Sequence, residues 1–174
     1  SLLSLSSESF AQSGTCAGMD IGPGADLNGF IPFPADNAWN TDISSMPVDP
    51  NSDNIIAFIG ASSPLHPDFG AGLYNGSKIG IPYQVVDTTT QPKVPIRIVA
   101  YKTESDPGPM PVPPNALIEG YPNPDDGDRH VLVLDRNGCW IYELYRGFKG
   151  HGAWKADSTA IWDMTINEQR PYTW

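Results

Sequence analysis

The architecture of this chain follows from residues 128–146, DRHVLVLDRNGCWIYELYR. Two runs rich in β-branched, aliphatic and aromatic residues flank Asn137-Gly138, a dipeptide that favours a type I′ turn because both of its positions need a positive φ. The pattern predicts an antiparallel hairpin of residues 130–135 and 139–145. Both of its faces carry large apolar groups, so the hairpin belongs inside a sheet. The predicted register pairs Arg136 with Cys139, Leu134 with Ile141, Leu132 with Glu143, and His130 with Tyr145.

Length and composition predict a single all-β body. The 174 residues include 18 Pro and 17 Gly, and short strand-like runs alternate with Pro/Gly turns. Such a chain is typical of an antiparallel β-sandwich, which we expect to be jelly-roll-like, with one short helix. Residues 21–174 are expected to form this sandwich as one domain, and residues 1–20 an extended N-terminal arm.

The net charge argues against two classes of function. Acidic residues outnumber basic ones by 20 to 10, which gives a formal charge of −10 at pH 7. This field repels phosphate backbones and anionic lipid headgroups, so binding to nucleic acids or membrane surfaces is not expected. No apolar run approaches the ~20 residues of a membrane-spanning helix, so membrane insertion is not expected either. The sequence suggests no cofactor.

Local signals predict one helix and several further strands. The helix is expected to begin near Asp49-Pro50, to include residues 54–59 and to end at Gly60. Irregular edge strands are expected over residues 20–48. The remaining predicted strands are residues 81–87, 94–101 and 158–166.

Two segments are predicted to lack regular structure. The proline-dense residues 105–127 are expected to run over the surface in extended form, because proline cannot donate to a central ladder. Residues 147–154, GFKGHGAW, contain three glycines and suggest a flexible link.

The N-terminal arm is Ser-rich, and its large apolar residues are Leu2, Leu3, Leu5 and Phe10. Alone, such a segment should be floppy, because ordering it costs about 1–2 kcal/mol per residue in backbone entropy. We expect it to gain order by docking on a sheet edge of a neighbouring copy. The alternative is a processing remnant that is held only by packing.

The cysteines and one sequon bear on the compartment. Cys16 and Cys139 are the only cysteines, and either they form a disulfide or Cys139 is a buried free thiol. A bridge between them would close a loop of more than a hundred residues, worth about 4–5 kcal/mol in the chain-entropy model. Asn75-Gly76-Ser77 is a sequon, so Asn75 is a candidate glycosylation site. Together with the acidic, Pro/Thr-rich composition, these features favour an extracellular, secreted protein.

Several motifs resemble a family of secreted bacterial proteins over about residues 32–170. They are PADNAWNTDISSMPVDPNS, LHPDFG, GIPYQVV, SDPGPMPVP and GDRHVLVLDRNGCWIYELY. The resemblance implies secretion but brings neither a fold nor a mechanism with it. In that family, the segment that matches TAIWDMTINEQRP usually reads as a D-L-x-S-N-A-L-R-P run, and the chain continues for about as long again. We therefore expect that an activity needing that second half is not inherited here.

Histidines beside carboxylates are the candidates for catalysis. His66 lies near Asp68 in LHPDFG, His130 follows a run of aspartates, and Asp163 lies in the last predicted strand. Such a histidine can act as a general base or bind a divalent metal ion. The alternative is that His66 orders its loop by a hydrogen bond and that His130 caps a strand end. No HExxH, GxSxG, paired CxxC or P-loop motif is present, so these four residues stay candidates.

Two other clusters have a functional and a structural interpretation. Asp125, Asp126 and Asp128 supply oxygen at the density of a calcium loop, but they lack the EF-hand series of ligands and fit a solvated turn better. The tryptophans and tyrosines could form a platform on which sugars stack, although aromatic residues on strands are more often core.

Two hypotheses about function follow. The first is an extracellular structural protein that assembles with copies of itself, head to tail, through the N-terminal arm. Contacts of that kind do not close and produce a filament or surface assembly. The second is a secreted carbohydrate-active protein, either a hydrolase or a lectin-like binder of glycans, that uses the region around His66 and His130.

Overall fold

The computed structural model describes residues 14–64, 72–150 and 153–174. Within them the chain is mostly β, with ten strands in three sheets and one α-helix. The helix, α1, spans Ser52–Ile59. The strands are β1 Gly22–Pro23, β2 Leu73–Tyr74, β3 Ser77–Lys78, β4 Tyr83–Val86, β5 Ile96–Ile98, β6 Val131–Asp135, β7 Trp140–Tyr145, β8 Phe148–Lys149, β9 Trp154–Ala156 and β10 Ser158–Asp163.

The largest sheet has five strands in the order β1-β4-β6-β7-β10, with the β6–β7 hairpin at its centre. β6 pairs with β7, and β7 with β10, in antiparallel fashion, whereas β4 and β6 are parallel. A three-stranded sheet has the order β5-β9-β8, and its β5–β9 pair is also parallel. The expectation of purely antiparallel pairing is therefore wrong. β4 and β6 are joined by a long crossover through β5 and the proline-rich segment, which returns the chain in the same direction.

The predicted register of the central hairpin is confirmed. Leu134 is opposite Ile141, and Leu132 is opposite Glu143. The predicted type I′ turn at Asn137-Gly138 is wrong, because neither residue has a positive φ. The turn takes in residues 136–139, and the positive φ falls on Cys139 at 60°. Its amide donates to the carbonyl of Asp135 at 2.9 Å, which closes the turn.

One face of the five-stranded sheet packs against the three-stranded sheet. Side chains of β4, β6 and β7 meet Trp154 and Ala156 of β9 in one buried cluster. The same cluster contains Met110 and Val112, and Pro111 between them is fully buried. The expectation that residues 105–127 run over the surface is therefore wrong at residues 110–112. A proline cannot join a ladder because it has no amide donor. Its neighbours can still be buried in the core.

The opposite face is covered by the segment that follows Gly14. Met19 is fully buried there, and Phe30 packs beside it against Val85 and Leu134. A disulfide joins Cys16 to Cys139 at the hairpin turn, with their Cα atoms 5.5 Å apart. Residues 14–20, which the sequence assigned to the arm, thus belong to the packed body.

Three other local predictions differ from the structure. Residues 20–48 hold a single two-residue strand, β1, and are otherwise turns and irregular chain. The helix begins at Ser52 rather than near Asp49-Pro50, and Gly60 ends it with a φ of 97°. Residues 147–154, expected to be a flexible link, contain β8 and the start of β9, whose pairing links Lys149 with Trp154.

Candidate functional site

His130 lies at the start of β6, where its ring is fixed by two neighbours. Its Nδ1 is 2.7 Å from Oε2 of Glu119, and its backbone amide donates to the same oxygen at 3.2 Å. The ring of Tyr145 lies 5.4 Å away, centroid to centroid, with a tilt of 45°. Glu119 and the imidazole are both about two-thirds covered. This arrangement holds the end of the β6–β7 hairpin to the loop that precedes it.

The structure does not bring Asp163 together with His130. Asp163 is opposite Trp140 at the turn end of β7, whereas His130 neighbours Tyr145 at the other end. Five residues along a strand correspond to about 17 Å. The Asp163 carboxylate instead accepts hydrogen bonds from the amide of Thr165 at 2.8 Å and from its hydroxyl at 2.6 Å. The other two candidates, His66 and Asp68, lie outside the described residues.

Glu143 is a titratable residue that the sequence analysis did not select. It is half-buried on the same face as His130, and burial raises the pKa of its carboxyl. Three weaker influences oppose this rise and lower the pKa: a hydrogen bond from the Trp162 side chain and the charges of His130 and Arg170. Alternation along the hairpin places Glu143 beside His130, but the Arg170 charge that acts on it comes from the C-terminal segment. No sequence pattern indicated that segment's position.

The aspartates of the candidate metal loop are engaged by protein groups. Oδ1 of Asp125 accepts the amide of Gly127 at 2.9 Å, and Oδ1 of Asp128 accepts the Tyr145 hydroxyl at 3.2 Å. The backbone carbonyl of Asp126 accepts Nη1 of Arg146 at 2.7 Å. Guanidinium groups thus donate hydrogen bonds to backbone carbonyls of the kind that a calcium loop would direct at the ion. Among the described residues, no group of three His, Cys, Asp or Glu side chains is arranged to hold a metal ion.

Asn75 lies at the tip of a small exposed hairpin. Asn75 and Gly76 have φ values of 49° and 80°, and they connect β2 to β3. The Asn75 side chain is exposed. A sequon asparagine at such a tip is sterically open to modification.

An apolar groove lies next to the point where the described chain begins. Ile31, Phe33, Ala35 and Trp39 line a cavity of about 250 Å³, together with residues 40–42. Trp39 is 89% exposed. We call this cavity the residue-31 groove.

The residue-31 groove is held in shape by one amide side chain. Phe33 has a φ of 69°, which is unfavourable for a bulky residue. Nδ2 of Asn40 lies within hydrogen-bond distance of three successive carbonyls, those of Pro32 at 2.8 Å, Phe33 at 3.1 Å and Pro34 at 3.1 Å. A strained residue that its surroundings hold in place is typical of sites that clamp a ligand.

Many apolar side chains that follow the groove in sequence are also exposed. Helix α1 has no buried residue, and Phe58 on it is 93% exposed. Between residues 31 and 59, nine large apolar side chains are each more than a third exposed: Ile31, Trp39, Ile43, Met46, Val48, Ile55, Ile56, Phe58 and Ile59. Clustered exposure of this kind marks an interaction surface. The sequence predicted the helix but gave no sign that its apolar residues would be uncovered.

Gly14 places the root of the arm beside this groove. Its amide donates to the carbonyl of Gly29 at 3.1 Å, and it packs so closely on the backbone of residues 28–30 that a side chain would not fit. Residues 1–13, with Leu2, Leu3, Leu5 and Phe10, lie outside the described residues. Gly14, the first described residue, packs against Gly29 and Phe30, the two residues that precede Ile31.

None of the helices in the described ranges combines the length and the hydropathy of a membrane span. Comparison with protein-family models, curated proteins and solved structures finds no match. The resemblance to a secreted bacterial family stays a prediction from the motifs.

Proposed function

We propose that this protein is an extracellular structural protein whose copies assemble head to tail, with the N-terminal arm of one copy seated in the residue-31 groove of the next. The observation that carries the proposal is the apolar groove beside Gly14, with Trp39 at 89% exposure. The arm supplies matching chemistry, because its four large residues are apolar. Burying each of them would stabilise the contact by about 1.5–3 kcal/mol.

A neighbouring copy is a better occupant than the protein's own arm alone. One arm carries four large apolar side chains, whereas residues 31–59 expose nine. Four side chains are too few to cover all nine, so a single arm folded back on its own body would leave part of that surface in water. Contact with a second body, which adds its own apolar side chains to the arm, covers the surface more completely.

Side chains supply this contact more readily than sheet pairing does, because the two edges of the five-stranded sheet are poorly suited to a new strand. β1 contains only Gly22 and Pro23, and the proline has no amide to donate. Along β10, the amide of Ile161 donates to Oδ2 of Asp106 at 2.9 Å, and the amide of Asp106 donates to the carbonyl of Thr159 at 3.2 Å. That edge is therefore already covered by the chain itself.

The arm and the groove are different surfaces, so the contact is heterologous. Repeating it adds copies in one direction without closing, which produces a filament or an extended surface assembly. The net charge of −10 opposes random aggregation.

The extracellular location is part of the proposal. Support comes from the disulfide between Cys16 and Cys139, since disulfides persist in oxidising compartments. The exposed sequon at Asn75 is compatible with a glycan on the outside of the assembly. We also propose that the five-stranded and three-stranded sheets form a jelly-roll-like sandwich, because one buried cluster takes side chains from both.

A secreted hydrolase receives no comparable support. Glu119 fixes the ring of His130, and Asp163 lies at the opposite end of the neighbouring strands.

Two complementary variants test the assembly. Trp39→Ser keeps the arm but removes the largest side chain of the groove. Deletion of residues 1–12 removes the arm but keeps both buried clusters, since every member of them lies after Gly14. We expect each variant to be a monomer by light scattering, and a mixture of the two to form a 1:1 complex that grows no further.

Tyr74→Ser is the matched control, because Tyr74 is 72% exposed and lines a different cavity, beside the β2–β3 hairpin. It should assemble like the parent, with the same filaments or sheets in negative-stain micrographs. Assembly of the truncated chain would show that the arm is not required. A mixture that stays monomeric would show that the arm does not act between copies.

A further inference from the structure

We infer that the cleft between the β2–β3 hairpin and residues 119–129 is a binding site for a neutral oligosaccharide. The cleft encloses about 660 Å³, which lies in the usual range of ligand sites. One wall is the hairpin that carries Tyr74 and Asn75, and the other is the loop that carries Glu119, Asn123 and Asp125. This inference is independent of the proposed assembly, which uses the residue-31 groove.

Exposed tyrosines give the cleft a surface on which sugar rings can stack. Tyr74 is 72% exposed and lines the cleft directly. Tyr121, 42% exposed, lines an adjoining cavity of about 410 Å³ that shares Lys78, Ile79 and Gly80 with the cleft. Nζ of Lys78 lies 6.0 Å from the centre of the Tyr121 ring, which leaves the opposite face of the ring for a sugar. A tyrosine combines an apolar face with a polar tip and suits ligands that are wet on one side. Because the two cavities share Lys78, Ile79 and Gly80, they adjoin as one groove.

Carboxylates in the cleft are positioned by one oxygen and leave the other for a ligand. Oδ1 of Asp125 accepts the Gly127 amide, and Oδ1 of Asp128 accepts the Tyr145 hydroxyl. Glu119 bonds His130 through Oε2. The second oxygen of each carboxylate can accept a hydroxyl without any rearrangement of the chain.

The balance of charge favours a neutral ligand over an ion. Three carboxylates face two cations in the cleft, Lys78 and Arg129. Arg129 is committed to the protein, since Nη1 donates to the Asp125 carbonyl at 2.6 Å and its guanidinium lies 4.3 Å from the centre of the Phe148 ring. A phosphate would meet the carboxylates, and a divalent cation would meet the guanidinium. Hydroxyl groups both donate and accept, so they suit such a mixed lining.

The test is titration calorimetry of the full chain with cellotetraose, maltotetraose, chitotetraose and mannotetraose. We expect saturable binding of at least one of them and none of inorganic phosphate or calcium chloride. Tyr74→Ala should weaken the binding at least tenfold by removing the stacking surface. Saturable binding of phosphate or calcium in preference to every sugar would overturn the inference, as would the failure of all four sugars.

Asp125→Asn isolates the free carboxylate oxygen. The amide oxygen of the new side chain can still accept the Gly127 amide, while an NH₂ group replaces the second acceptor. We expect at least tenfold weaker binding with an unchanged melting temperature. The matched control is Asp49→Asn, because Oδ1 of Asp49 accepts the Asn51 amide at 2.7 Å in the same kind of turn, at the start of the helical segment. Equal sugar affinity in Asp125→Asn and Asp49→Asn would contradict the assignment of the cleft.

Discussion

The chain contains two Asn-Gly dipeptides between paired strands, and they adopt different turns. Asn75-Gly76 forms a two-residue turn with both φ values positive, and Leu73 pairs with Lys78 on either side of it. In the β6–β7 hairpin, the residues at 137 and 138 both avoid positive φ, and Cys139 takes it instead. The same dipeptide thus gives the turn it favours at one place and not at the other.

The difference lies in what surrounds each turn. The β2–β3 hairpin is largely exposed, so local preference decides its shape. At the β6–β7 turn, the buried carboxylate of Asp135 accepts the Asn137 amide at 3.0 Å and the Thr88 hydroxyl at 2.9 Å. The disulfide fixes Cys139 to Cys16. The partners of Asp135 and Cys139 therefore override the local turn preference of the dipeptide.

Among the substitutions that test this difference, removal of the disulfide should lower the free energy of unfolding most. Cys16→Ser combined with Cys139→Ser opens a loop with a sequence separation of 123. We expect the free energy of unfolding to fall by about 4–5 kcal/mol, because the unfolded chain regains the entropy of that loop. Denaturant titration measures the change, and the parent protein under reducing conditions is the control. A loss below about 1 kcal/mol would mean that the bridge does not stabilise the turn region.

Asp135→Ala should remove the other interaction that holds the β6–β7 turn, namely the hydrogen bonds to the Asp135 carboxylate. The substitution leaves the Asn137 amide and the Thr88 hydroxyl without their buried acceptor, so we expect a loss of about 2–3 kcal/mol. Asp42→Ala is the matched control, since Asp42 accepts the amide of Ser44 at 2.9 Å in an exposed turn. Equal losses in the two variants would show that burial of Asp135 is unimportant.

Gly76→Val should destabilise the β2–β3 hairpin, whose turn follows the local preference of Asn-Gly. A β-branched residue at a φ of 80° is strained by about 1–2 kcal/mol. The amide of Ile79, which donates to the Gly72 carbonyl at 3.1 Å, should then exchange its hydrogen faster. Asn75→Gly is the control, because glycine accepts a positive φ at the neighbouring position. Unchanged exchange in Gly76→Val would argue against a positive φ at that residue.

The smallest expected effect concerns Glu143, at the far end of the β6–β7 hairpin. Burial raises the pKa of this carboxyl above its ordinary value of 4.5, so the folded chain binds the proton more tightly than the unfolded chain. The stabilisation is complete below the unfolded pKa and is lost as pH rises through the folded pKa. Glu143→Gln should not show that loss. The melting temperature of the variant minus that of the parent should therefore increase as pH rises.

Exposed Glu168 supplies the control for that comparison, as Glu168→Gln changes the same group where water surrounds it. Its melting temperature should follow that of the parent at every pH. If the difference between Glu143→Gln and the parent did not depend on pH, the carboxyl would not titrate differently in the folded chain.

The sequence predicted those features that depend on local pattern. Period-two alternation specified the register of β6 and β7, since a slip by one residue would turn Val131 and Val133 away from the core. Gly60 marked the end of α1 because helix termination there needs a positive φ.

Features that depend on distant partners were not predictable. The burial of Met110 depends on packing against both sheets, and the pairing of His130 with Glu119 depends on the path of the loop between them. The residue-31 groove arises from three carbonyls that converge on the amide of Asn40, a geometry with no sequence signature.

The disulfide also determines how the protein would respond to mechanical tension. A pull applied between Gly14 and Trp174 passes from Cys16 directly to Cys139, so the residues between them are shielded and carry no load. The chain can then lengthen to about 130 Å, rather than the roughly 550 Å available once the bridge is reduced. With the bridge intact, the chain would therefore extend under load about a quarter as far as it does once the bridge is reduced.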